Sequence, residues 1–488
     1  MTPFARRILI AAACALALAA CSVPPRLDRP PLRDEAPLAG VDAATGAWPD
    51  ALWWKRYGDA QLDGLVEQAL AGSPSLEEAH RRLGTAVRAI EAARAQGGLE
   101  SQANAQVQRL RLSENGLIPP QFLGFTWYNQ GDLSLQFQYD FDFWGRTRAA
   151  VLAAIDEVRA AEAERSAASL VLTTAIADTY FGWQADQSHV ALADESITVL
   201  ERYRLLSRKR VERGVDLPDA LHQADANLAA VRERRATYVG AARIRLAALA
   251  GLLGVAPADL PKLQARALPS VDGALPDDVG LDLIARRPDI AASRWRVEAA
   301  LARTDEARAA FFPDIRLGAM VGLQSLDLDK LLDAGSRMAA IGPALHLPLF
   351  GRGPLKANHR IAQARLQAAA AQYDATVVDA ARDVATQALT VAQVEARRRE
   401  RSAQLEAMRA LEASAAARAR QGLVDDRSVL AARAQVLEQL DAAASLDAQA
   451  VSAQIALTKA LGGGYHVEPP AGDTRLSSSI PSERVESR

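Results

Sequence analysis

Two stretches of this chain, residues 146–213 and 355–421, contain no interior proline, and each is followed by a glycine, Gly214 and Gly422. Proline removes a backbone donor and clashes with the preceding turn, so its absence over such a distance permits one unbroken helix. About 67 residues at 1.5 Å rise each would reach on the order of 100 Å. Ordinary globular domains do not hold helices of that length, which restricts the chain to coiled coils, bundles or tubes. The glycines supply the left-handed residue that ends a helix, and helical patterning resumes at 218–253 and 426–461. The expectation is two long hairpins whose tips lie at one end of a rod.

The composition agrees. Of 488 residues, 49% are hydrophobic, yet 103 are alanine and only 5% are aromatic, so the helices must pack closely through small side chains. Apolar and small residues recur at Ala370, Tyr373, Val377, Ala380, Val384, Val391 and Val394, a three-and-four spacing. The apolar content is too high for a disordered chain. With 57 basic against 59 acidic residues there is no basic excess of the kind a nucleic-acid binder carries.

The chain is built twice. Ser73-Pro74-Ser75-Leu76 matches Arg287-Pro288-Asp289-Ile290, Trp144-Gly145-Arg146 matches Phe350-Gly351-Arg352, and Gly214-Val215 matches Gly422-Leu423. Ala-rich helices resemble one another by chance, but chance does not place proline, Gly-Arg and glycine anchors in the same order. The first offset exceeds the second by eight residues, which predicts a longer loop between Leu112 and Gly131. Each half opens with a helix, over 61–95 and 277–310, and continues into a pair of alternating segments. Leu133, Leu135, Phe137, Tyr139 and Phe141 alternate with polar residues, and Ile315, Leu317, Ala319, Val321 and Leu323 keep the same period of two. Their partners, 103–112 and 341–349, are less regular, and Pro343 and Pro348 mark the second as an edge or irregular strand. The fold class is mainly α with a small β part. Strands of nine to eleven residues with one apolar face suit an outer membrane, but four cannot close a barrel. The aromatics from Phe122 to Trp144 suit a membrane interface. A hairpin buried in a soluble core would show the same alternation.

Residues 1–20 read as an export signal. Arg6 and Arg7 precede a thirteen-residue apolar run from Ile8 to Ala20, too short to span a bilayer. Leu18-Ala19-Ala20-Cys21 is similar to the lipobox of bacterial lipoproteins, in which the cysteine thiol is acylated. Ser22 resembles the pattern sent on to the outer membrane. Cys14 lies in the removed segment, so the mature chain can form no internal disulfide. Residues 21–48, proline-rich and polar, look like the tether that follows, and 466–488 form a polar tail.

Trp53-Trp54, Tyr57-Gly58-Asp59, Arg286-Arg287-Pro288-Asp289-Ile290, Phe311-Phe312-Pro313 and Ala460-Leu461-Gly462-Gly463-Gly464, in this order, resemble the outer membrane factor family. These are the TolC-like exit ducts, here in the lipoprotein branch of the OprM and NodT type. The resemblance implies repeats over 49–265 and 266–465. It implies a homotrimer whose chains each give four strands to one twelve-stranded barrel in outer membrane lipid, continued by a periplasmic α-helical barrel. It further implies a passive duct for small molecules, fed by an inner-membrane efflux transporter of the RND type through a periplasmic adaptor protein. Service to a type I protein secretion system is an alternative, and an adaptor lipoprotein is a more distant one. By the same resemblance the tips form a periplasmic gate and adaptor-docking site, with Gly214, Asp216, Asp219, Gly422, Asp425 and Asp426 as its candidate residues. Where family members often have an acidic residue, Val429-Leu430 is followed here by Ala431. No enzyme, metal or cofactor is expected beyond the lipid on Cys21, since the six histidines lack metal-ligand spacing and no nucleotide fingerprint is present.

Overall fold

The computed structural model describes residues 23–38, 46–115, 119–270, 275–276, 279–347 and 352–466. In chain order the main elements are α1 (Ala60–Gly72), α2 (Pro74–Ala95), β1 (Gly98–Arg111), β2 (Trp127–Asp140), α3 (Arg146–Glu212) and α4 (Pro218–Leu253). The second half repeats them as α5 (Val279–Arg286), α6 (Pro288–Ala309), β3 (Asp314–Ser325), β4 (Arg337–His346), α7 (Arg352–Arg420) and α8 (Asp426–Ala460). The two long helices hold 67 and 69 residues without a break.

Three expectations are revised. The opening helix of each half is two helices, because a residue before proline is pushed out of the α region. Ser73 accordingly adopts φ −67° and ψ 130°, and Arg287 separates α5 from α6. The β1 strand starts at Gly98 and β4 at Arg337, earlier than alternation indicated. The extra residues of the first half lengthen strands as well as a loop, since β1 and β2 have 14 residues each against 12 and 10 in β3 and β4.

The described residues fall into two units, neither of which is one half of the repeat. One takes Arg82–Ala161 and Ser293–Tyr373 with the described residues before Arg33. It contains an antiparallel sheet in the order β1-β2-β3-β4. The register pairs Ala103 with Leu135, Leu135 with Val321, and Val321 with Ala339. Partners across an antiparallel ladder share a face, so the apolar residues of all four strands lie together. The opposite face is not uniform. On β1 and β2 it carries Glu100, Gln102, Asn104, Gln106, Gln136, Gln138 and Asp140; on β3 and β4 it carries Gly318, Met320, Gly322, Met338, Ala340 and Gly342. Gly322 is needed there because a Cβ would lie 2.5 Å from the Leu133 carbonyl oxygen. Pro343 sits in β4, at the sheet's edge, where a missing N–H is tolerated; Pro348, Leu349, Phe350 and Gly351 lie outside the described residues.

In the same unit, the stretch expected to be a tether is tied down. Arg26 pairs with Asp305 at 2.8 Å and Arg29 with Glu298 at 2.5 Å. Arg308 donates to the Pro24 carbonyl at 2.9 Å.

The other unit takes Arg33–Arg81, Glu162–Ala292 and the described residues from Asp374 on. Its core gathers Trp53, Trp54, Leu62, Leu65 and Val66 against Ile176 and Tyr180 of α3, Leu249 and Leu253 of α4, and Val451 and Ile455 of α8. The tryptophans meet edge to face at 6.0 Å, and Tyr57 meets Phe181 at 4.9 Å. Arg287 joins the start of α6 to the end of α8, grasping Asp289 at 2.7 Å and donating to the Ala460 carbonyl at 2.8 Å. This gives the Arg-Pro-Asp motif a structural task. By length and composition α4 is apolar enough to cross a bilayer, with a window of mean hydropathy 1.3. Of its apolar residues Leu249 and Leu253 enter the core while Ile244 stays exposed, and its Arg245 pairs with Asp186 of α3 at 2.8 Å.

Candidate functional site

The hairpin tips are set by the two glycines. Gly214 has φ 71° and Gly422 has φ 74°, a conformation costly for any residue with a Cβ. In each tip the next residue closes the turn: Val215 donates to the Arg210 carbonyl at 2.8 Å and Leu423 to the Arg418 carbonyl at 3.0 Å. The returning helices then start in different ways. Pro218 occupies the first position of α4, where its missing N–H is no loss, whereas Asp425 caps α8 by accepting from the Ser428 N–H at 3.3 Å.

The carboxylates of the tips are unequal. Asp216 accepts two hydrogen bonds from Arg210, at 2.9 and 3.0 Å, and a third from Arg427 of the second tip at 2.7 Å. Arg427 also donates to Asp425 at 3.1 Å, and Arg210 lies 3.5 Å from that same carboxylate. Two arginines and two aspartates thus form one neutral knot that joins the tips. The hydrogen-bonded Arg210 guanidinium holds the Asp216 carboxyl below its ordinary range, partly opposed by desolvation and reinforced by Arg427. For Asp425 burial acts against the charge, and the hydrogen bond and charge of Arg427, the Ser428 N–H and the charge of Arg210 together outweigh it to give a lowered value. Asp219 and Asp426 are exposed in the first turns of α4 and α8, where a carboxylate complements the helix dipole. Among the described residues these two of the four acidic candidates take no part in the knot, and the adjoining last turns of α3 and α7 carry Lys209, Arg418 and Arg420. Val215, Leu217 and Leu423 expose apolar side chains beside them. Cys21 lies outside the described residues.

Arg210 and Arg427 are the site residues that sequence reasoning passed over. Each lies within a few residues of a tip glycine, but an arginine near a helix end is normally a solvated dipole partner. The pairing across tips comes from tertiary structure.

A second polar cluster ties the hairpins together further from the tips. His189 of α3 and Tyr238 of α4 both contact Asp441 of α8, at 2.6 and 2.9 Å, and their rings stack at 4.5 Å. An ionised carboxylate only accepts, so His189 Nδ1 and the Tyr238 hydroxyl are the donors. Ser445 Oγ lies 3.5 Å from His189 Nε2, an outline resembling a hydrolase triad. Here, however, the serine proton goes to the Asp441 backbone carbonyl at 3.2 Å. The neighbouring backbone N–H groups belong to α8, so no pair of them is free to hold an oxyanion. The cluster therefore fastens three helices. Among the described residues no group of three or more His, Cys, Asp or Glu is placed to hold a metal ion.

Comparison with known proteins places this architecture. A profile of the outer membrane efflux protein family matches residues 65–255 and 281–463. The multidrug resistance outer membrane protein MdtP of Escherichia coli O6:H1 is 34% identical over 436 residues, 88% of this chain and 89% of that protein. The putative multidrug resistance outer membrane protein MdtQ of Shigella flexneri is 34% identical over 468 residues, 92% and 96% of the two chains. The crystal structure of the outer membrane protein VceC from Vibrio cholerae superposes with a TM-score of 0.75 at 36% identity, covering 86% of this chain and all of that one. With its duplicated long hairpins and amphipathic four-stranded sheet, the chain belongs to the outer membrane efflux protein family and is an efflux duct of the bacterial outer membrane with the TolC-like fold.

Proposed function

We propose that the protein is the outer-membrane exit duct of a tripartite efflux system, conducting small toxic or drug-like molecules passively outward. The observation that carries this reading is the sheet: it has one continuous apolar face, and β1 and β4 are left as open edges. Open edges in lipid leave backbone N–H and C=O groups unpaired at several kcal/mol each. Pairing β4 of one copy with β1 of the next removes them, and three copies give a twelve-stranded barrel. The multidrug names of MdtP and MdtQ favour small molecules as cargo. In this reading free energy comes from an inner-membrane pump of the RND type, and no cofactor is needed.

The tips receive cargo in this scheme, and the exposed Val215, Leu217 and Leu423 offer apolar contacts to a periplasmic adaptor. The knot among Arg210, Asp216, Asp425 and Arg427 holds the tips together at rest. Asp219 and Asp426, tripled in the assembly, raise the local concentration of cationic solutes. Residues 1–20 are removed on export and Cys21 carries the anchoring lipid, with residues 21–48 as a segment that links the lipid to the fold and is fastened to α6 through Arg26 and Arg29, repeats over 49–265 and 266–465, and a tail over 466–488.

The test is reconstitution of purified protein into planar bilayers with its mass measured in detergent. A trimer whose conductance favours cations is expected, and a monomer without conductance would overturn the proposal.

A further inference from the structure

The β3–β4 loop lies at the end of the sheet opposite the one where α6 leads into β3 and β4 leads on to α7. It is ordered by its own hydrogen bonds: Asp327 N–H donates to Ser325 Oγ at 3.1 Å, Ser336 Oγ donates to the Lys330 carbonyl at 2.7 Å, and Lys330 pairs with Asp327 at 3.0 Å. Two short 3-10 turns, Leu328–Lys330 and Ala334–Ser336, shape it. Despite this order it exposes leucines, with Leu326 at 55% and Leu332 at 79% of full accessibility.

The loop also has a definite side. A Cβ on Gly131 of β2 would fall 2.8 Å from Leu328 Cδ2 and 3.0 Å from Leu331 Cδ2. Gly131 shares its face with Leu133, Leu135 and Tyr139, by the alternation of a strand. The loop is therefore folded back over the apolar face of the sheet, away from the mouth of the duct. It leans across β3 onto β2, toward the middle of the chain's own sheet and away from the β4 edge that faces a neighbouring copy.

The height of the loop matters too. The β1–β2 ladder continues past Gly131, paired with Val107, to the Arg111–Trp127 pair. Leu328 and Leu331 thus lie beside a hairpin that rises above them to Trp127, which shares the face of Gly131 and is suited to a membrane interface. The apolar face from Leu99 to Val107 is eight residue steps, about 27 Å along the strand; a barrel tilt of about 40° reduces this to roughly 21 Å of height, below the ~25 Å band of an outer-membrane barrel. The loop's leucines extend that band at its outer margin.

We infer that residues 326–336 are a lipid anchor: a preformed loop whose exposed leucines insert into the outer leaflet beside the barrel. The inference rests on the proposed membrane-spanning barrel, and the lipid is the occupant because the loop continues the sheet's lipid-facing surface.

The experiment is nitroxide labelling of single cysteines introduced as Leu332→Cys, Leu135→Cys and Asp219→Cys, with the full protein in phosphatidylcholine nanodiscs. Acylated Cys21 offers no thiol, and the unsubstituted protein serves as the unlabelled control. Collision of the label with oxygen, which concentrates in lipid, is compared with collision with a water-soluble nickel chelate. The expected oxygen-to-nickel ratio at Leu332 is close to that at Leu135 and several-fold above that at Asp219. A ratio at Leu332 equal to that at Asp219, with Leu135 reading lipid, overturns the anchor alone. Shielding of Leu332 from both reagents, as by another copy of the chain, overturns it as well. A water-like ratio at Leu135 overturns the barrel reading instead. If Leu332→Cys fails to assemble, Leu326→Cys carries the same comparison with the same outcomes.

Discussion

Replacing Asp441 by Asn tests whether the His189–Tyr238–Asp441 cluster fastens the two hairpins. The substitution keeps size and one acceptor oxygen, so His189 can retain its bond while the Tyr238 hydroxyl turns to accept. What is lost is charge. Hydrogen bonds to a charged group contribute about 1.5–3 kcal/mol and neutral ones about 0.5–1.5, so two bonds lose roughly 2 kcal/mol. With the Asp441 side chain about one-fifth exposed, solvent screening lowers this to about 1–2 kcal/mol. A local opening of α8 away from α3 and α4 then becomes on the order of 5- to 30-fold more frequent. Hydrogen exchange read by mass spectrometry should accelerate by that factor in peptides around Asp441, and remain unchanged in the core around Ile176 and Leu249. Equal rates in both proteins, with the same helical content, would refute the argument. The cluster also has a definite pH sense. Burial opposes the Asp441 charge, but the His189 and Tyr238 bonds outweigh it and hold the carboxyl below its ordinary value. A lowered carboxyl contributes stability that is complete above its unfolded value and lost as pH falls through its folded one. The acceleration should therefore appear in wild-type protein only well below about pH 4.

Arg427→Ala should unlink the tips and raise single-channel conductance in planar bilayers, with the trimer intact by native mass spectrometry. Because Asp216 and Asp425 both have lowered carboxyl values, wild-type conductance should not change between about pH 8 and 5, and a step in that window would implicate other groups. Gly322→Ala forces a Cβ to within 2.9 Å of the Ser134 Cα as well as against the Leu133 carbonyl, backbone that cannot swing aside. A strain of about 1–3 kcal/mol or more is expected, read as loss of the assembled trimer by electrophoretic mobility of unheated samples. Cys21→Ser should abolish incorporation of labelled palmitate, and persistent label would place the lipid elsewhere.

The long helices were legible because proline and glycine act locally: their absence permits α3 and α7, and their presence ends them. The alternation of β2 was legible because successive side chains of a strand face opposite ways, so a period of two shows in the sequence itself. The breaks at Ser73 and Arg287 were readable in principle from the prolines that follow, but helical periodicity continues across them and hides the boundary. The first strand was harder, since Glu100 to Gln108 alternates polar residues with serine, alanine and a single valine, and only its register with β2 reveals a shared face. The tips divide the same way. Gly214 and Gly422 declare themselves in sequence, while the bond that reaches Asp216 across the tips from an arginine 211 positions away does not. The Asp441 cluster joins α8 to α3 and α4, more than two hundred positions away, and no spacing rule connects them.

The unequal inner face of the sheet has a consequence for traffic. Once three copies close the barrel, glutamine-rich and methionine–glycine stripes alternate around the circumference, six in all by that assembly. A solute with one oily and one polar side can find a matching wall by rotating a fraction of a turn, wherever it stands in the passage. In the proposed duct such a surface spreads weak contacts along the whole wall, which assigns selection of cargo to the proposed adaptor and pump.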